Sequence, residues 1–271
     1  LPELPEVETT LRGISPHILG RQVESVVVRQ PRLRYLVPEY LADNIQGESI
    51  RDVARRGKYL LVAVGGGHIL IHLGMSGSLR MVPAAAPAGK HDHLDIVLSS
   101  GQSLRYTDPR RFGVVDWLEG DPWAHPLLRN LGPEPLGRDF SGGYLHRRAG
   151  SRKVPVKGFI MDSQVVVGVG NIYANEALFL SGIHPLRDAG RISLARYDLL
   201  ADTVRTVLAR AIAQGGTTLR DFVGGDGRPG YFKQSLQVYG RGALPCCRCG
   251  SPLREVRLAQ RTTVYCPRCQ R

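Results

Sequence analysis

The first 245 residues of this 271-residue chain contain no cysteine; all five cysteines fall in the last 26. That distribution excludes a disulfide framework of the kind that staples a small secreted domain along its whole length. Long apolar runs are missing too. None approaches the roughly 18–20 residues that span a bilayer, so no transmembrane helix and no membrane partner are expected. The opening Leu1-Pro2-Glu3-Leu4-Pro5-Glu6 is acidic and proline-rich rather than basic then apolar, and does not read as a signal peptide. Acid is in short supply overall: 24 Asp and Glu face 36 Lys and Arg, a net charge of +12. Such an imbalance points to a polyanionic partner, although bulk charge alone does not separate nucleic acid from an acidic membrane. A cytoplasmic protein that meets nucleic acid is the expectation.

With 42% hydrophobic residues and no internal repeat, the chain suffices for one large or two ordinary domains. Pro5 suits the first turn of a helix, Glu6 and Glu8 complement its dipole, and Val7, Leu11, Ile14 and Ile18 fall on one helical face. Pro16 is expected to kink or end that helix. Strand-like runs follow at 26–28, 59–64, 68–73, 78–82, 93–98 and 103–107, the spacing of an antiparallel sandwich or barrel. Residues 84–89 read as an exposed loop and 132–142 as a linker. Beyond it the pattern becomes helical, at 143–148, 155–161, 171–180 and 193–214. The domains are therefore expected at 2–131, 143–235 and 236–271.

Four places carry chemistry. Cys246-x2-Cys249 and Cys266-x2-Cys269, sixteen residues apart, match a closed four-thiolate zinc site, which is normally structural. Cys247 lies too close to Cys249 to be a ligand. Arg254, Arg257 and Arg261 lie between the knuckles, either to reach phosphate or as a solvated basic face. Gly168-Val169-Gly170-Asn171 opens a helix and could present N–H groups to an anion, with Lys157 and Arg152 upstream; Asn171 as a plain N-cap is the competing reading. Met75 and the turn Asp108-Pro109-Arg110-Arg111-Phe112-Gly113 could fill the gap left by an extruded base, against ordinary core packing for Met75 and Phe112. Lys58, at the start of a strand, could donate a proton or grip phosphate, or be merely exposed. At the N-terminus, a leading Pro2 would offer a secondary amine; an α-amino group titrates at about 7.7–8, so about a tenth or more of it is unprotonated near neutrality, the competing reading being a frayed end that Pro2 protects from proteolysis.

Taken together, Pro2-Glu3-Leu4-Pro5-Glu6-Val7-Glu8, His72-Leu73-Gly74-Met75-Ser76-Gly77, Tyr106-Thr107-Asp108-Pro109-Arg110-Arg111-Phe112-Gly113, Val167-Gly168-Val169-Gly170-Asn171-Ile172-Tyr173, Gln237-Val238-Tyr239-Gly240-Arg241 and the zinc knuckles resemble the bacterial formamidopyrimidine-DNA glycosylases over essentially the whole chain. The resemblance implies an α+β multidomain fold. Its parts would be an N-terminal antiparallel β-sandwich with an N-terminal helix, a C-terminal helical helix-two-turn-helix domain, and a zinc-finger β-hairpin. It implies Zn2+ as a structural cofactor and damaged double-stranded DNA, bound by a monomer, as partner. It assigns Pro2 as nucleophile at C1′, Glu3 as acid/base, Lys58 to elimination at the phosphodiester, and Arg261 to DNA binding and δ-elimination. Met75, Arg110 and Phe112 would fill the void; His91, Arg152, Lys157, Asn171 and Tyr239 would bind DNA. Thr217, Thr218 and Arg220 would belong to the loop that closes over the lesion. The family often has lysine where Arg152 and Arg220 stand, a change that keeps charge but not hydrogen-bond geometry.

Two rival functions remain at this level. An endonuclease VIII-type enzyme would remove oxidised pyrimidines with the same nucleophile, but Leu4 and the glycine-rich stretch at 222–230 favour the purine branch. A non-catalytic zinc-ribbon DNA binder would lack Pro2 or Glu3. Both residues are here, provided that Leu1 is removed; Leu1 is expected to be the literal reading of a non-AUG start, translated as methionine and cleaved.

Overall fold

The computed structural model of the protein describes residues 2–217 and 232–271. It divides into two compact units, and the division is not strictly sequential. Residues 2–129 group with 214–217, and 130–213 with 232–271.

The first unit begins with helix α1 (Leu4–Ile18), then β1 (Val23–Val28), a short α2 (Leu41–Ile45), β2 (Ile50–Arg56), β3 (Tyr59–Val64), β4 (Gly67–His72), β5 (Ser78–Pro83), β6 (Asp92–Leu98), β7 (Gln102–Thr107) and β8 (Val114–Glu119). The strands form two four-stranded antiparallel sheets, ordered β1-β6-β7-β5 and β2-β3-β4-β8. This is the expected sandwich. Its core takes Leu60, Val62 and Val64 from β3, Ile69 and Ile71 from β4, and Ile96 and Leu104 from the other sheet. Each such side chain contributes about 1.5–3 kcal/mol on burial.

Helix α1 adds Val7, Ile14 and Ile18 to that core, with Leu11 packed at its margin, and lies against β2 and β5. Pro16 does not end it. The helix runs on to Ile18, because the buried Ile14 and Ile18 hold the last turn on the core. Strands β2 and β8 are additional to those that the alternation marks. In β2, Ile-Arg-Asp-Val-Ala-Arg-Arg is mostly polar and only its first residue is fully buried, so hydrophobic patterning is weak there.

The second unit holds α3 (Gly142–Ala149), α4 (Val156–Met161), α5 (Asn171–Leu180), α6 (Leu194–Ala213) and a hairpin of β9 (Arg254–Leu258) and β10 (Arg261–Tyr265). Ser141 caps α3 by accepting the Tyr144 N–H at 3.0 Å. Helix α5 is buried on nearly every side, as befits a central helix, and packs on α4, α6 and β10. The supposed linker 132–142 is part of this unit. The Gly132 N–H donates to Ser163 O at 2.8 Å, Pro133 O accepts from Val167 N at 3.2 Å, and Phe140 is completely buried. Among the described residues, no helix is long and apolar enough to cross a membrane.

Candidate functional site

In the first unit the N-terminal motif folds into a built structure, not a frayed end. Pro2 is buried and Glu3 is 2% exposed. Glu3 stands at the N-cap of α1, and Glu6, one turn on, reaches back to accept the Glu3 N–H at 2.9 Å. The other Glu6 oxygen accepts the Thr217 N–H at 2.7 Å. One buried carboxylate thus joins the start of the chain to the described stem of the expected lesion loop. Thr218, Arg220 and the glycine-rich stretch lie outside the described residues, as does Leu1.

Glu8 was read from sequence only as a helix-dipole residue, yet it ties α1 to the turn that carries Lys58. Its carboxylate accepts Arg55 Nε at 2.8 Å and Arg12 Nε at 2.8 Å, and Arg55 Nη1 donates to Gly57 O at 2.9 Å. Burial raises the Glu8 pKa, but the hydrogen bonds from Arg55 and Arg12 outweigh it, so the carboxyl sits below its ordinary range. The i+4 spacing of Glu8 and Arg12 was a readable signal; the contact with Arg55 was not.

Lys58 is half-buried in the β2–β3 turn, where Gly57 takes a left-handed φ of 57°. Its charge is felt at His72, whose ring lies 4.8 Å from that of Tyr59. Burial, then the positive charges of Lys58 and Arg34, depress the His72 pKa to about 4 against the opposing pull of Asp108. A neutral His72 can then use Nδ1 to accept the Gly74 N–H at 3.1 Å, at the entrance to the Met75 loop.

That loop and the 108–113 turn are organised by one buried carboxylate. Asp108 is 0% exposed. It accepts Ser76 Oγ at 2.7 Å from one loop, Gly113 N at 2.9 Å from the other, and the Tyr106 hydroxyl at 3.2 Å. The loops touch directly: a Cβ on Gly74, itself at φ +62°, would stand 2.5 Å from the Gly113 nitrogen. From this base Phe112 projects 45% exposed with the Arg110 guanidinium 4.9 Å from its ring centre, and Met75 is half-buried. Core packing is thereby excluded for Phe112, and Met75 is not part of the buried core cluster. Arg111, between Arg110 and Phe112, holds φ 55°, a strained position for a side chain-bearing residue. His91 is half-buried beside His93, and its carbonyl accepts the Asp108 N–H at 3.0 Å.

In the second unit, the four expected cysteines converge. The sulfur atoms of Cys246, Cys249, Cys266 and Cys269 all lie within 4.8 Å of one another, with Cys246–Cys269 at 3.9 Å and Cys249–Cys266 at 3.5 Å. A tetrahedral zinc with Zn–S bonds of about 2.3 Å spaces its sulfurs about 3.8 Å apart. The residues therefore fit zinc, and four protein ligands leave no open position for catalysis. Cys247 points elsewhere, toward Gln237 Oε1 at 3.4 Å.

Of the cations and polar groups expected to contact DNA, Arg152 is exposed, its guanidinium stacked 5.9 Å from Phe159. Asn171 is not the N-cap: Gly170 holds that position and Asn171 opens the helix. Its Oδ1 is buried without a partner among the described residues, so the side chain is not spent on capping. Tyr239 is half-buried and its N–H is held by Glu176 Oε1 at 2.8 Å; the same carboxylate accepts from Gln237 and Val238 at 2.9 Å each. Lys157 departs from expectation. It is 1% exposed, and its ammonium donates to Thr262 O at 3.0 Å and Thr263 Oγ1 at 2.7 Å. A phosphate contact needs an ammonium at the surface, and tertiary packing has turned this one inward. Arg261, by contrast, is exposed at the start of β10.

Comparison with known proteins gives a consistent result along the chain. Residues 1–115 match the formamidopyrimidine-DNA glycosylase N-terminal domain, 131–223 its H2TH domain, and 243–271 a zinc finger found in FPG and IleRS. Formamidopyrimidine-DNA glycosylase of Stutzerimonas stutzeri is 61% identical over 271 residues, covering 100% of both chains. A mutant Lactococcus lactis FPG, in complex with DNA containing Fapy-dG, superposes with TM-score 0.93 at 33% identity over 99% of each chain. The MutM (FPG) protein of Thermus thermophilus gives 0.89 at 38% identity, covering 99% of this chain and 98% of its own.

Proposed function

The chain belongs to the formamidopyrimidine-DNA glycosylase family and is an enzyme of DNA base excision, and we propose that it removes oxidised purines such as 8-oxoguanine and formamidopyrimidines through an amine nucleophile at Pro2, then cleaves the strand. The carrying observation is Glu6, which accepts from both Glu3 and Thr217 and so builds the Pro2–Glu3 terminus into a buried site.

The chemistry follows from a secondary amine. Attack by the Pro2 nitrogen on C1′ breaks the glycosidic bond and expels the base, while Glu3 transfers a proton as the sugar ring opens. The product is an iminium, which withdraws electrons and acidifies the C2′ protons. Loss of one such proton expels the 3′-phosphate, and a second elimination expels the 5′-phosphate; Lys58 and Arg261 assist at these phosphodiesters. No redox cofactor is needed. Met75, Arg110 and Phe112 take the space of the extruded nucleotide and press on the base opposite. Their preassembly around Asp108 supports that role, because little ordering remains to be done on binding. His91, Arg152, Asn171 and Tyr239 hold the phosphate backbone, and Thr217, Thr218 and Arg220 serve recognition of the lesion. Zinc supplies structure to the hairpin. The enzyme works as a monomer in the bacterial cytoplasm, at the nucleoid during repair.

Borohydride should trap a covalent protein–DNA adduct on lesion duplex from protein beginning at Pro2, and Pro2→Gly should weaken trapping. Protein that intact mass shows to start at Pro2 but that yields no adduct would reduce the function to binding. In single-turnover assays 8-oxoguanine opposite cytosine should be excised faster than thymine glycol; the reverse order would transfer the chain to the pyrimidine branch.

A further inference from the structure

Among the described residues, strand β10 pairs on one side only, with β9. Its other edge should present bare backbone groups, the usual liability of an edge strand. Two helix side chains meet that edge instead. Lys157 of α4 donates to Thr262 O, and Asn175 of α5 accepts the Val264 N–H at 2.8 Å. Residues 262 and 264 are two apart, so their backbone groups lie on one edge of the strand. Lys157 also holds Thr263 Oγ1, and Asn175 is itself fixed by donating Nδ2 to Asn171 O at 2.6 Å. Lys157 and Asn175 are each 1% exposed and Thr263 is 0%. The pair occupies the place of a third strand.

Position along the hairpin gives this arrangement its consequence. The metal-binding Cys266 and Cys269 stand at the base, beyond Tyr265. Arg261 stands at the other end, next to a two-residue turn in which Ala259 and Gln260 take left-handed φ values of 46° and 61°. Neither is glycine, so the turn itself resists its conformation. Five residues at about 3.3 Å each put Arg261 roughly 17 Å along the strand from Cys266. Zinc can fix the base but has little hold on the tip. Lys157 grips the strand one residue from Arg261.

We propose that Lys157 and Asn175 are positioning residues for Arg261: an edge clamp that sets the tip of the hairpin independently of the metal at its base. The proposal rests on the reading of Arg261 as a group acting on DNA and on the second elimination.

The test uses full-length, zinc-loaded enzyme and compares Lys157→Met, Arg261→Ala and the double variant. Lys157→Met should keep one zinc per chain and an unchanged visible spectrum after Co2+ substitution. It should form the borohydride-trapped adduct, which precedes elimination, at close to the parent rate. The ratio of β- to δ-elimination product should rise about fivefold or more, the scale set by loss of one buried hydrogen-bond partner. Arg261→Ala should produce the same rise, and the double variant should add nothing to it. A parent-like product ratio in zinc-loaded Lys157→Met, with Arg261→Ala altered, overturns the clamp while leaving the role of Arg261 standing. Fully additive effects also overturn it. A parent-like Arg261→Ala overturns the reading of Arg261, and the clamp with it. If Lys157→Met takes up no zinc, Asn175→Ala, which removes one strand contact and no charge, carries the same expectations.

Discussion

In the sandwich unit, the loops bearing Met75, Arg110 and Phe112 hang from a large apolar core and are gathered by the Asp108 carboxylate. In the second unit, the hairpin bearing Arg261 has two strands of five residues each and is gripped from outside, by four thiols and by side chains from α4 and α5. The contrast follows from size. A two-stranded hairpin is marginal in water, whereas two packed four-stranded sheets bury enough apolar surface to stand alone. Where the core is large, one polar hub suffices to shape the loops. Where it is small, buried polar contacts and a metal must supply what area does not.

Zinc removal should separate the two regions most sharply. Structural zinc contributes apparent binding energies of about 10–16 kcal/mol in finger peptides, and that energy is folding energy. Chelation should therefore collapse DNA affinity in a filter-binding assay while the β-sheet circular dichroism of the sandwich persists. Unchanged DNA binding by verified zinc-free protein would mean that the side-chain contacts alone hold the hairpin.

Glu176→Gln comes next. Burial raises this carboxyl above its ordinary pKa despite the three N–H groups that it accepts from Gln237, Val238 and Tyr239. An amide can accept on one side only, so at least one of these N–H groups loses its partner, at about 1–3 kcal/mol where it is buried. A lowered melting temperature together with weaker DNA binding is expected; a parent-like melt would show that the segment is held by other means.

The smallest effect is expected in the sandwich unit. With a folded pKa of about 4 against 6.5, His72 binds fewer protons in the folded protein than in the unfolded chain between those values. Stability is therefore full above pH 6.5 and falls as pH drops toward 4, by about 1–2 kcal/mol once partial solvent exposure is allowed for. NMR titration of the imidazole checks this directly, and an ordinary midpoint near 6.5 would mean that neither burial nor the charges of Lys58 and Arg34 act on the ring.

Much of the molecule was legible in one dimension. Val7, Ile14 and Ile18 announced the buried face of α1, and paired CxxC knuckles announced the metal site. Both are patterns in which spacing along the chain dictates spacing in space. Asp108 was visible only as a member of a turn motif; that it gathers two loops depends on Ser76, far away in sequence. Glu8 and Glu176 carried no signal for their tertiary contacts, since an isolated glutamate reads as surface.

Residue spacing alone thus determined the helix face, the strand alternation and the four thiolates, because each is a local geometric repeat. Which charged groups stay at the surface was decided only in three dimensions. Lys157 and Arg261 read alike in sequence, as cations awaiting phosphate. Packing left Arg261 exposed at the hairpin tip and buried Lys157 against the edge of β10, where the unpaired Thr262 carbonyl needed a donor.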